Sequence, residues 1–146
     1  MLSEGNILYF DPFYFKNGNP SKPKFFVVLK NDGVNSIIGS LPSSKDFVPL
    51  EHTKESGCVE LPEINLNCFI ISPSQIVTTN DKKFALPTFI YAQQIDDYRL
   101  DYLKELYPNE GVDYDIWGKM KPRLFKDLIK CIKSSKSVKN KYKKVL

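Results

Sequence analysis

The side chains able to do chemistry are few, and most are lysines and serines. His52 is the single histidine, the residue type whose ordinary pKa suits proton transfer near neutral pH. Set in PLEHTKES, it reads equally as a plain histidine on a polar loop. Lys22 and Lys24 precede an apolar run, and Lys45 follows Ser43 and Ser44. Ammonium groups beside hydroxyls can hold a phosphate, the first through charge and the second through hydrogen bonds. The same lysines also work as charged flanks that protect a hydrophobic strand from edge pairing, and Pro42-Ser43-Ser44 is an ordinary turn. Asp96, Asp97 and Asp101 form either a carboxylate cluster or the negative start of a helix.

Two further features bear on binding. Tyr9, Phe10, Phe13, Tyr14 and Phe15 make an aromatic run denser than a core strand needs. Strand alternation buries some of these rings and leaves others, with Phe13 and Lys16 as candidates, to contact bases and phosphate. The formal charge of +4 divides into a balance of −6 over residues 1–118 and +10 over residues 119–146. Lys126 and Lys130 lie on the basic face of an amphipathic stretch, beyond which six lysines and no acid run from Lys133 to Lys144. Such an end attracts phosphate with little sequence preference. It reads equally as a solvated helix with a disordered tail, or as a segment that packs on the body or on an anionic surface.

The elements that must position these residues are short. Asn6–Phe10, Phe25–Leu29, Ser36–Ser40, Cys68–Ser72, Gln75–Thr79 and Thr88–Gln93 read as strands, with another at Phe47–Leu50. Asp11-Pro12 reads as a break, KNGNPSKPK as a loop, and Asn31-Asp32-Gly33 as a hairpin turn. Phe25–Leu29 is apolar throughout, which predicts a strand buried on both faces. Residues 41–67 read as a long, partly ordered excursion. Asp96–Tyr107 has helical spacing, and a linker through Asp113, Asp115 and Trp117 leads to a second helix from Pro122. The fold class is therefore mainly β, with long loop insertions and two C-terminal helices. Residues 1–118 form a body with the first helix, and residues 119–146 a basic amphipathic helix and tail.

Several function classes fall away. With 146 residues, 42% hydrophobic and 26% charged, the chain suits one globular domain. No apolar run is long enough for a transmembrane helix, and the start lacks the pattern of a secretory signal. Cys58, Cys68 and Cys131 are odd in number and lack metal spacing, which predicts reduced thiols, a cytoplasmic location and no metal site. The P-loop and the dinucleotide fingerprint are absent, so no cofactor is expected.

The opening segment, EGNILYFDPFYFKNGNPSKPKFFVVLKND followed by SIIGSLPSSKDFVPL, resembles the PemK/MazF-like toxin family. Gly5, Ile7–Phe10, the loop around Gly18, Lys22-Pro23 before Phe25–Leu29, and Ile37-Ile38 leading to Pro42-Ser43-Ser44 carry the likeness. NCFIISPSQIVTTN resembles the strand pair after the family's long loop. The resemblance implies an SH3-like small barrel, commonly dimeric and paired with an acidic antitoxin protein. It also implies metal-independent cleavage of single-stranded RNA. Ser43 and Ser44 would contact the scissile phosphate, Lys22 or Lys24 would stabilise its charge, and His52 would be a candidate for proton transfer. Outside what the resemblance implies, charge and aromatic character make Lys45, Lys16 and Phe13 candidate RNA contacts, with Lys126 and Lys130 in the basic C-terminal stretch that the resemblance does not cover. Lys22 stands where the family has Arg, and Lys lacks the planar fork with which Arg grips phosphate. A different class remains open beside it, a non-catalytic SH3-like barrel module that binds protein or nucleic acid. A peptide-binding use of the Phe13–Phe15 aromatics is a third.

Overall fold

A computed structural model describes residues 2–34, 36–44, 56–64 and 66–146. Lys45, His52 and the predicted strand at Phe47–Leu50 lie outside the described residues.

The described strands build two antiparallel sheets rather than one closed barrel. The larger contains β1 (Asn6–Phe13), β2 (Lys22–Asn31), β3 (Ser36–Ser40), β7 (Asp96–Arg99) and β8 (Tyr114–Lys119), in the order β7-β3-β2-β1-β8. The smaller pairs β4 (Gly57–Leu61), β5 (Leu66–Ile71) and β6 (Thr88–Tyr91) in chain order. β2 is central and, as its unbroken apolar run predicts, buried on both faces. Val27 and Leu29 enter a core shared with β5, β6 and the C-terminal helices, while Phe26 and Val28 enter a second core under β7. The predicted turn after β2 is present. Gly33 adopts φ +77°, Asn31 Oδ1 accepts its N–H, and Asp32 Oδ1 accepts the N–H groups of Val34 and Ser36. An Asx turn of this kind satisfies the loop's donors locally and sets the register of β3 on β2.

Several boundaries differ from expectation. Asp11-Pro12 does not end β1; it forms an irregularity inside the strand, after which Phe13 pairs with Lys22. Gln75–Thr79 is not a strand, and only Thr78 bridges, to Met120. β4, β7 and β8 are strands that the apolar pattern of the sequence does not predict. Asp96 and Asp97 do not start a helix but lie in β7, paired with Gly39 and Ile38 of β3. The helix begins later, as α1 (Leu100–Leu106), with Asp101 in its first turn accepting Arg99 at 2.7 Å. Sheet pairing to β3 overrides the helical spacing of that stretch.

The C-terminal region corrects the picture of a frayed tail. α2 (Pro122–Ser134) packs on β4 and β5 through Leu124, Leu128, Cys131 and Ile132. A third helix, α3 (Asn140–Lys143), then folds back, burying Val138 and Tyr142 in the main core, with Leu146 against them. The thiols are also not all reduced. Cys58 of β4 and Cys131 of α2 form a disulfide across 73 residues, and Cys68 is buried and outside that bond. Among the described residues no helix is long and apolar enough to cross a membrane.

Candidate phosphate-binding groove

Lys22 and Lys24 lie two residues apart at the start of β2, so strand alternation turns both side chains to one face. Beyond them that face becomes the buried ring of Phe26. Here the sheet end opens into a groove of about 810 Å³, with Lys22, Lys24 and Ser43 among its walls. Ser43 reaches it because the segment after β3 is tied to the second sheet. Ser43 N–H donates to Phe89 O at 2.9 Å, and Phe89 N–H donates back to Ser43 O at 2.7 Å. The Lys24 ammonium donates to Pro42 O at 2.8 Å, which draws its charge toward Ser43. Lys22 is exposed, with its ammonium 5.9 Å from the centre of the Phe15 ring.

The opposite wall is acidic and aromatic. Lys16 also lines the groove, but its charge is engaged. Its ammonium pairs with Asp96 Oδ2 at 3.2 Å, donates to the backbone carbonyl of Asp97, and lies 4.4 Å from the centre of the Tyr98 ring. Lys16 is therefore a strut between the loop after β1 and β7, rather than the phosphate contact expected of it. Burial, with the nearby carboxylates, pushes the Tyr98 hydroxyl well above its ordinary pKa. Phe13 touches the groove only as part of its floor. At 2% exposure it is packed among Phe10, Phe26 and Tyr107, so its ring is core and cannot stack on a base.

Other expected contacts are elsewhere. Ser44 is exposed and does not line the groove. Lys126 and Lys130 are exposed on α2, and Lys130 borders a different hollow, of about 450 Å³, beside Cys58 and Cys131. The groove also contains residues that motif reading missed. Gln93 and Gln94, from a 3-10 turn after β6, present exposed amides, and Lys139 arrives from the C-terminal segment. For Lys139 the available signal was the spacing of Val138, Tyr142 and Leu146, an apolar stripe with helical period inside the lysine run.

Chemically, the groove brings the ammonium groups of Lys22 and Lys24 and the Ser43 hydroxyl together with the side-chain amides of Gln93 and Gln94. The carboxylate among its described residues, Asp96, is already shared by Lys16 and by the Tyr142 hydroxyl, 3.2 Å from Oδ1. In comparisons with family models, curated proteins and solved structures, nothing matches this chain.

Proposed function

We propose that the chain binds single-stranded RNA in the groove at the start of β2, as a PemK/MazF-like, toxin-type protein with an SH3-like arrangement of strands. The observation that carries this reading is the convergence of Lys22, Lys24 and Ser43 from two separate segments on one open groove. A flexible strand fits it better than a duplex, because bases must turn toward Gln93 and Gln94 while phosphates meet the lysines. An acidic antitoxin and a second copy of the chain are the protein partners that this reading brings with it.

Cleavage would need no metal: the RNA 2′-OH attacks the adjacent phosphorus and the 5′-oxygen leaves, with Lys22, Lys24 and Ser43 bearing the charge that develops. A proton acceptor is also required. Among the described groove residues the carboxylate of Asp96 is committed to Lys16 and Tyr142, and this favours the second reading, a non-catalytic module that binds RNA and does not cut it. Incubating the protein with mixed-sequence single-stranded RNA in chelator separates the readings. Salt-sensitive binding is expected in both, and fragments appear only with the nuclease. Neither binding nor fragments would overturn the proposal.

A further inference from the structure

The strongest charge concentration in the chain lies at its C-terminal end, and one of its lysines is built into the groove. Lys139 is exposed and lines the same cavity as Lys22, Lys24 and Ser43. It is not carried there by a loose tail. Val138 immediately before it is 5% exposed and Tyr142 three residues after it is 4% exposed, both inside the main core. The Lys139 carbonyl accepts the N–H of Tyr142 at 3.0 Å, which starts α3 at that point. Ser135 is buried further back, its hydroxyl accepting Ser137 N–H at 3.1 Å. The ammonium of Lys139 is thus attached to backbone fixed on both sides.

The fixing point adjoins the groove at Asp96, which lines it. The Tyr142 hydroxyl donates to Asp97 Oδ1 at 2.8 Å and lies 3.2 Å from Asp96 Oδ1. That hydrogen bond holds the Asp97 carboxyl below its ordinary pKa, and burial together with the two carboxylates raises the tyrosine's. Asp96 in turn pairs with Lys16. Lys16 offsets the charge of Asp96, and the neutral Tyr142 hydroxyl satisfies both carboxylates by hydrogen bonding without removing their charge, while Lys139 has no carboxylate partner among the described residues. A cation so placed, lining the same groove as Lys22 and Lys24, adds an ammonium for an anion that spans it.

We propose that Lys139 is a phosphate-binding residue of this site, and that the segment from Ser135 to Leu146 is a wall of the groove fastened by the Tyr142–Asp97 hydrogen bond. The inference rests on the RNA-binding reading above and extends it from the β2 lysines to the C-terminal segment. The charge pattern of the tail then has a local meaning: one lysine reads the ligand, and the buried Val138 and Tyr142 position it.

The test is binding of a fluorescent mixed-sequence single-stranded RNA to the full chain across a salt series. Lys139→Gln should weaken binding several-fold and flatten the slope of log affinity against log salt by about 0.7, the value of one phosphate contact on a single strand. Lys130→Gln, the same charge change on α2, should leave both unchanged. Tyr142→Phe keeps the ring and removes the latch; it should weaken binding less than Lys139→Gln, and the double variant should be no weaker than Lys139→Gln alone. Equal effects of the Lys139 and Lys130 variants would reduce the contribution to general charge and overturn the proposal, as would a silent Lys139→Gln. If the unmodified protein binds RNA through Lys22 and Lys24 while Lys139→Gln is silent, only this inference fails. If the unmodified protein binds no RNA, the broader reading fails with it.

Discussion

Replacing Gly39 by Ala is expected to destabilise the protein by about 2–3 kcal/mol, the upper part of the range for overfilling a packed core. Gly39 sits in β3 between Val28 of β2 and Asp96 of β7. A Cβ there would overlap the ring of Phe26, with three of its carbons in the way. The ring has nowhere to go. It is 1% exposed and meets Phe10, Phe13 and Tyr98 at centroid distances of 6.0, 6.2 and 5.1 Å. Phe13 and Tyr98 also wall the groove, so a displaced Phe26 should deform the site as well as the core. For a domain of this size the loss corresponds to a fall in melting temperature of roughly 5–10 °C. Gly18→Ala is the comparison. At φ +79° it carries backbone strain of about 1–2 kcal/mol, but its Cβ would meet nothing within 4 Å. Thermal melts of the two variants should therefore differ in the groove as well as in midpoint, with RNA binding impaired in Gly39→Ala and kept in Gly18→Ala.

The second large effect concerns binding. Changing Lys22 and Lys24 together to Ala should lower affinity for single-stranded RNA by about ten- to a hundredfold at low salt and flatten the salt slope by about 1.4, two phosphate contacts. The two residues are unequal. Lys24 is half-buried and anchored on Pro42 O, so its loss also loosens the segment that presents Ser43. Lys22 is exposed beside the Phe15 ring and acts through its charge. Lys24→Ala should therefore cost more than Lys22→Ala, and Lys24→Arg should restore part of the binding. Equal losses from Lys126→Ala/Lys130→Ala would show that RNA reads the basic end as a whole rather than the groove.

Sequence and structure agree where local chemistry decides the outcome. The Asn31-Asp32-Gly33 turn is specified by side chains that bond their own loop, and Phe25–Leu29 is buried on both faces because no polar residue interrupts it. The elements missed were decided at a distance. β7 carries Asp96, Asp97 and Arg99 and reads as a helix start until β3 is there to pair with it. β8 runs Tyr-Asp-Ile-Trp-Gly-Lys without a clean alternation of apolar and polar residues, and it is a strand beside β1. The same division holds in the site. Lys22, Lys24 and Ser43 were legible because they flank recognisable strands, and they do share a groove. Phe13 and Lys16 are close by but occupied, one in the core and the other by Asp96 and the Asp97 carbonyl. Which aromatic is buried and which cation is engaged depends on partners some 80 residues away, as in the contact of Lys16 with Asp96. Local spacing holds no trace of that pairing. Lys139 was hidden for the same reason, since only the return of α3 to Asp96 and Asp97 brings it to the groove.

Titration of the labelled protein with single-stranded RNA, followed amide by amide in its NMR spectrum, tests the central claim most directly. The account predicts that shifts concentrate at Lys22, Lys24, Ser43, Gln93, Gln94 and Lys139, with Lys126 and Lys130 unmoved. Shifts confined to α2, or a spectrum unchanged by RNA, would contradict it.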